Sequence, residues 1–92
     1  MDRLTDEQVA AGLEALDNWQ RDGDAITRTF RADSYPDAVA FVVRMAFAAE
    51  EANHHPDITW SWVNVTVSLS THDAGGITQN DLDLAATIDR LA

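Results

Sequence analysis

Apolar and polar positions repeat with two different periods along the chain, and each change of period marks a new element. The clearest stretch is 63–69, where Val63, Val65, Val67 and Leu69 share one side of an extended chain and Asn64, Thr66 and Ser68 take the other. Successive strand side chains point to opposite faces, so this pattern predicts a strand with one buried and one wet face. Ala25 to Phe30 has the same character, with Ile26 and Phe30 inward and Arg28 at the rim. Asp22-Gly23-Asp24 supplies a tight turn before it, which makes Trp19 to Arg21 its hairpin partner. A fourth, short strand begins over Ile58 to Trp60.

Three segments show the helical period instead, each behind a capping signal. Thr5-Asp6-Glu7-Gln8 is a capping box, with Leu4 and Val9 placed as a hydrophobic staple. Val9, Leu13 and Leu16 then fall on one face, predicting a helix over about residues 6–17. Ser34-Tyr35-Pro36-Asp37 opens a second helix, since proline is tolerated in a first turn whose N–H groups lack helical partners anyway. Its expected buried stripe is Val39, Val42, Val43, Met45, Ala46, Phe47 and Ala49, and Asn53 and Pro56 close it. Thr78-Gln79-Asn80-Asp81 opens a third, whose apolar face is Leu84, Ala85, Ile88 and Leu91.

The resulting order is α-β-β-α-β-β-α, without linker, repeat or low-complexity segment, so residues 1–92 are expected to form a single domain. Such an order predicts an α+β fold, a four-stranded antiparallel sheet with three helices packed on one face. An uncovered strand edge or apolar face on so small a sheet invites pairing with a second copy.

Composition narrows the function classes. A chain of 92 residues buries only about 60–65% of its unfolded surface, so it gains from oligomerisation. Cysteine is absent, which removes disulfides and thiolate metal sites. Sixteen acidic residues face six basic ones, all arginine, for a net charge of −10. That field repels phosphate backbones and anionic lipid, so neither direct nucleic-acid binding nor membrane adhesion is expected. No apolar run approaches the roughly 18 residues of a bilayer span. Met1-Asp2-Arg3-Leu4 lacks the apolar stretch of a signal peptide, and a cytoplasmic location is expected.

Three histidines carry the candidate chemistry. His54 and His55 are adjacent at a helix end, and His72 follows the strong strand. Imidazole titrates near neutrality, so such groups suit a reaction limited by proton transfer. Glu50 lies one helical turn before His54, and Asp81 sits in the first turn of the last helix. Each also has a structural explanation. Polar residues commonly end helices, His72 fits an ordinary loop, Asp81 completes a capping box, and Glu50 fits a solvated helix surface. Trp60 and Trp62 suit a flat pocket or, equally, an interface. His54, His72 and Glu50 are suitable ligands for zinc or iron, but neither HExxH nor a cysteine pair is present, and no metal is expected.

Glu50-Glu51-Ala52-Asn53-His54-His55-Pro56, the strand ending Leu69-Ser70-Thr71-His72, and Gly76-Ile77-Thr78-Gln79-Asn80-Asp81-Leu82-Asp83-Leu84-Ala85 together resemble the pterin-4a-carbinolamine dehydratase signature. Leu16-Asp17-Asn18-Trp19, Phe30, Ala38 and Phe41 agree more loosely, so the resemblance spans nearly the whole chain. It implies an α+β fold with a four-stranded antiparallel sheet, in dimers that join sheets edge to edge and sometimes in tetramers. It also implies loss of water from 4a-hydroxytetrahydropterin to give quinonoid dihydropterin, without metal or organic cofactor. That reaction recycles the cofactor of aromatic amino acid hydroxylases, a possible pathway partner. By position, His54, His55 and His72 would be catalytic. Pro56, Thr71, Asp73 and Ala74 would shape the pterin site, and Glu50 and Asp81 would orient the histidines. Some members of the resembling family bind proteins instead, so a non-enzymatic coactivator or assembly role is the alternative. Trp62 replaces a usual tyrosine, Ala32 a usual phenylalanine, and a commonly basic position near Val63 is not lysine.

Overall fold

The two strands with the cleanest alternation pair with each other and form the middle of the sheet. In a computed structural model, which describes residues 2–92, β1 is Gln20–Asp22, β2 Ala25–Arg31, β3 Asp57–Ser61 and β4 Asn64–Leu69. The sheet order is β1-β2-β4-β3, with every neighbouring pair antiparallel. Ile26 stands opposite Leu69 and Phe30 opposite Val65, so the register places large apolar side chains of both central strands on one face. The opposite face is polar; there the Thr29 and Thr66 hydroxyls meet at 2.8 Å.

Helices α1 (Asp6–Leu13), α2 (Tyr35–Ala52) and α3 (Gln79–Leu91) complete the predicted order. The Thr5 box forms as expected, with Gln8 N–H on the threonine oxygen and Thr5 N–H on the Gln8 side chain. The first helix is shorter than the predicted span to residue 17. From Glu14 on, the Glu14 and Leu16 N–H groups reach back only three residues, to Ala11 and Leu13, so the chain continues in turns. Asn18, left-handed at φ 67°, then redirects it before Trp19. Trp19 itself is buried ahead of the strand, which starts at Gln20. Val63 is buried as foreseen but lies in the β3–β4 turn rather than in the strand.

The buried stripe of α2 requires a correction. Ala38, Phe41, Met45 and Ala49 face the core, with Val42 half-buried, whereas Val39, Val43 and Phe47 are exposed together with Tyr35. The helix is apolar on two faces, and the periodicity of a helix apolar nearly all round does not say which one the sheet takes. Arg28 also moves from its expected rim position. It is drawn inward, 2.8 Å from Asp89 and over the Phe30 ring at 4.1 Å. Among the described residues, no helix is long and apolar enough to cross a membrane.

Candidate active site

The end of α2 separates the two adjacent histidines. Asn53 adopts the left-handed conformation at φ 50° and ψ 41°, a geometry that asparagine tolerates better than most residues. Its N–H bonds back to the helix, and the His54 N–H reaches the Ala49 carbonyl at 3.0 Å. The chain therefore leaves the helix at once. His54 turns in, its side chain 13% exposed, while His55 remains outside at 60%.

His54 ends against a carboxylate supplied by the first turn of α3. Its Nε2 lies 2.5 Å from Oδ1 of Asp81, whose side chain is fully buried. Asp81 holds this position because the capping geometry of α3 requires it: Oδ2 accepts the Thr78 N–H at 2.8 Å. The same Oδ2 accepts the Thr71 hydroxyl at 2.9 Å. Thr71 has a single proton and gives it to Asp81, so Thr78 must donate in the 2.8 Å contact between the two hydroxyls. The carboxylate, being acceptor-only, also fixes the tautomer of His54. Nε2 carries the proton shared with Asp81, and Nδ1 is the nitrogen left to receive or deliver one.

Thr71 is positioned by the loop after β4. It forms an isolated bridge with Gly76, and a short 3-10 turn over His72–Ala74 lies between them, closed by Gly75 at φ 74°. Gly75 thus takes the left-handed place where a side chain would be strained. His72 and Asp73 are exposed on this turn, and Ala74 is half-buried. His72 therefore directly follows the residue that touches Asp81, while its own ring has no side-chain hydrogen bond among the described residues.

Glu50 does not pair with His54, the residue one helical turn ahead. Its Oε2 lies 2.8 Å from Nε2 of His55, and both side chains are largely exposed. The left-handed Asn53 ends the helical spacing on which the one-turn relationship depends. The structure thus gathers His54, Asp81 and Thr71 in one network and forms a separate His55–Glu50 pair, with Pro56 half-buried just beyond. Beside His54 is a hollow of about 400 Å³ whose wall includes Glu51, Asn80, Asp83 and Thr87; neither His55 nor His72 lines it. No group of three or more His, Asp or Glu among the described residues is placed to hold a metal ion.

Thr78 was not singled out from the sequence, yet it is fully buried and bonds both Thr71 and Asp81. The sequence signal for it is its place as the first residue of the capping box, which by itself speaks only for helix formation. Thr71, expected against the substrate, has its hydroxyl occupied within the protein. Chemically, this is a buried carboxylate that orients one imidazole, that of His54, while His55 pairs with Glu50 and His72 is exposed on the turn after Thr71.

Comparison with known proteins gives the same frame. A family model described as pterin 4 alpha carbinolamine dehydratase matches residues 2–91. A protein of Nocardia farcinica, provisionally named pterin-4-alpha-carbinolamine dehydratase, is 56% identical over 89 residues, covering 97% of this chain and 94% of its own. A crystal structure from Brucella melitensis, described as a transcriptional coactivator/pterin dehydratase, superimposes with a TM-score of 0.95 at 34% identity, covering 99% of both chains. A pterin dehydratase-like protein identified as a RuBisCO assembly factor in the alpha-carboxysome is more distant, with a TM-score of 0.67 at 27% identity over 80% of this chain and 86% of its own. A match that runs almost from end to end, with relatives above half identity, places this chain in the pterin-4-alpha-carbinolamine dehydratase family.

Proposed function

We propose that this protein dehydrates 4a-hydroxytetrahydropterin to quinonoid dihydropterin by histidine acid–base chemistry, with no added cofactor, and so regenerates the pterin used by aromatic amino acid hydroxylases. The observation that carries this reading is the His54–Asp81 contact, which leaves one defined imidazole nitrogen, Nδ1, for proton transfer. The reaction breaks the C4a–O bond. A proton must reach the departing hydroxyl, which leaves as water, and a ring N–H must give one up. One imidazole nitrogen oriented by a buried carboxylate serves one of these transfers, and His55 and His72 supply the other. Pro56, Asp73 and Ala74 border the same end of the domain and would contact the pterin ring, whereas Thr71 acts behind the site through Asp81.

A second copy completes the proposal at the level of assembly. Edge strand β3 is exposed along its whole length, and Tyr35, Val39, Val43 and Phe47 form an apolar stripe at helical spacing on α2. Such surface supports a homodimer or homotetramer. The same stripe favours the alternative reading, a coactivator-like or assembly role in which it docks on another protein.

The deciding experiment is decay of freshly generated 4a-hydroxytetrahydropterin, followed by absorbance with wild type and with His54→Ala, His55→Ala and His72→Ala. Each general acid–base contribution is worth about 10²–10⁴-fold, so His54→Ala or His55→Ala is expected to lose that much in kcat. A wild-type protein that does not speed the decay leaves only the binding role.

A further inference from the structure

A second concavity lies away from the histidines, between β2, the first half of α2 and the end of α3. It encloses about 330 Å³, within the range of small-molecule sites. Phe30, Phe41 and Val65 form its apolar floor as nearly buried core residues, with the two phenylalanine rings 4.8 Å apart and tilted and Arg28 over the Phe30 ring. Its charged lining is Arg28, Arg31 and Arg44 with Asp33 and Asp37. Half of the six cations of a chain with net charge −10 therefore meet at one hollow.

These charges do not cancel one another locally. Arg28 is held by Asp89, and its Nε is buried without a hydrogen-bond partner. Arg44 gives one N–H to the Leu91 carbonyl at 2.9 Å. Among the described residues, Arg31, Arg44, Asp33 and Asp37 have no opposite charge within ion-pair distance. Unpaired groups of both signs thus stand around an apolar lining. A simple anion matches the arginines, but it must approach a strongly negative molecule and meet two aspartates. A simple cation meets the two unpaired guanidiniums of Arg31 and Arg44, beside an Arg28 already held by Asp89. A zwitterion with an apolar body avoids both conflicts.

We propose that this hollow is a binding site for an α-amino acid with an aromatic side chain. The carboxylate is taken by Arg44, with Arg31 reaching round the unpaired edge of β2 from its polar face, the ammonium by Asp33 or Asp37, and the ring lies over the edges of Phe30 and Phe41. Arg–carboxylate recognition suits the planar guanidinium fork, and ring contacts of this kind favour tilted or edge geometries. The site is independent of dehydration, since none of its lining belongs to the histidine network.

The test is a titration of the full chain, labelled with nitrogen-15, with L-phenylalanine, phenylacetate, phenethylamine and glycine. Saturable binding of L-phenylalanine is expected, with shifts centred on Arg31, Asp37 and Arg44. Omission of either charge or of the ring is expected to weaken binding by about tenfold or more. Arg44→Gln should weaken it similarly. Because that change also removes the bond to Leu91, Arg31→Gln, which breaks no described hydrogen bond, provides the second variant, with dehydration rate unchanged. The proposal is overturned if L-phenylalanine fails to saturate by about 10 mM, if phenylacetate binds equally well, or if the shifts centre on His54. Loss of dehydratase activity in the wild type would leave this outcome unaffected, so the two readings fail separately.

Discussion

His54 Nε2 lies 2.5 Å from Asp81 Oδ1, although the two residues are 27 positions apart in sequence. The contact joins the tail of α2 to the first turn of α3, and Asp81 serves both as a helix cap and as the partner of an imidazole. Two demands converge on one carboxylate: it must accept the Thr78 N–H for the helix to start, and it must accept from His54 and Thr71 to avoid an unmet buried charge.

Replacing Asp81 by asparagine tests that double role. The amide has one acceptor oxygen and two donor hydrogens, so it cannot accept from His54, Thr71 and Thr78 as the carboxylate does. At least one buried donor is left unmet, at a cost of about 1–3 kcal/mol. The expected outcome is a lower Tm and a kcat loss approaching that of His54→Ala. The double variant is expected to lose little more than His54→Ala alone, because both act through one imidazole. Additive losses in kcat would separate Asp81 from His54.

Thr71→Val keeps the shape and removes the hydroxyl. Asp81 then loses one donor, and the Thr78 hydroxyl loses its acceptor inside a buried pocket. Destabilisation of about 1–3 kcal/mol is expected from the unmet groups. Because the valine makes no proton transfer impossible, kcat should fall far less than with Asp81→Asn. Thermal unfolding beside the dehydration assay separates the two effects, and Thr71→Ser, which restores the hydroxyl, should recover most of the stability.

Much of this arrangement was legible before any coordinates, and the reasons differ by residue. Val63, Val65, Val67 and Leu69 announce burial because a strand has only two faces, so alternation fixes which side is wet. The capping box at Thr78 fixes where α3 starts, and hence where Asp81 lies. The face of α2 was not legible: with valine, alanine and phenylalanine on several sides, only the sheet decides that Phe41 and Met45 go in and Val43 and Phe47 stay out. Nor was the partner of Glu50, because one left-handed residue, Asn53, cancels the helical spacing just before the histidines. The bond from Thr71 to Asp81 joins a loop to a helix cap, and no local pattern encodes such a contact.

Asp89 offers a test of the structure away from the chemistry. Its Oδ1 accepts from Trp19 Nε1 and from Arg28 Nη1, both at 2.8 Å, tying the segment before β1 and the middle of β2 to α3. In Asp89→Ala the tryptophan N–H and the guanidinium both lose their acceptor while remaining partly buried. The expected cost is about 1–3 kcal/mol. Denaturant unfolding should show a lower midpoint with an unchanged slope. Since the network around His54 is untouched, kcat measured below the transition should stay near wild type.

Phe47 carries the last prediction. It is 75% exposed on α2, one turn beyond Val43 and in line with Val39 and Tyr35, while Trp60 of the edge strand stacks on Tyr35 at 5.5 Å. An apolar stripe that continues from a helix onto a strand edge has no reason to face water in a chain otherwise rich in carboxylates, whereas a second copy would bury it. Phe47→Asp introduces a charge that cannot be desolvated in such a contact, yet it removes little from the fold, since the side chain packs on nothing buried. The sedimentation mass of wild type is expected to be a multiple of the 10.1 kDa chain, and that of the variant a smaller multiple, with the far-UV spectrum retained. Equal masses for the two would mean that this stripe is not the self-association surface. If the variant also keeps its dehydration rate, the histidine network is complete within one chain, and assembly stabilises the fold without supplying the chemistry.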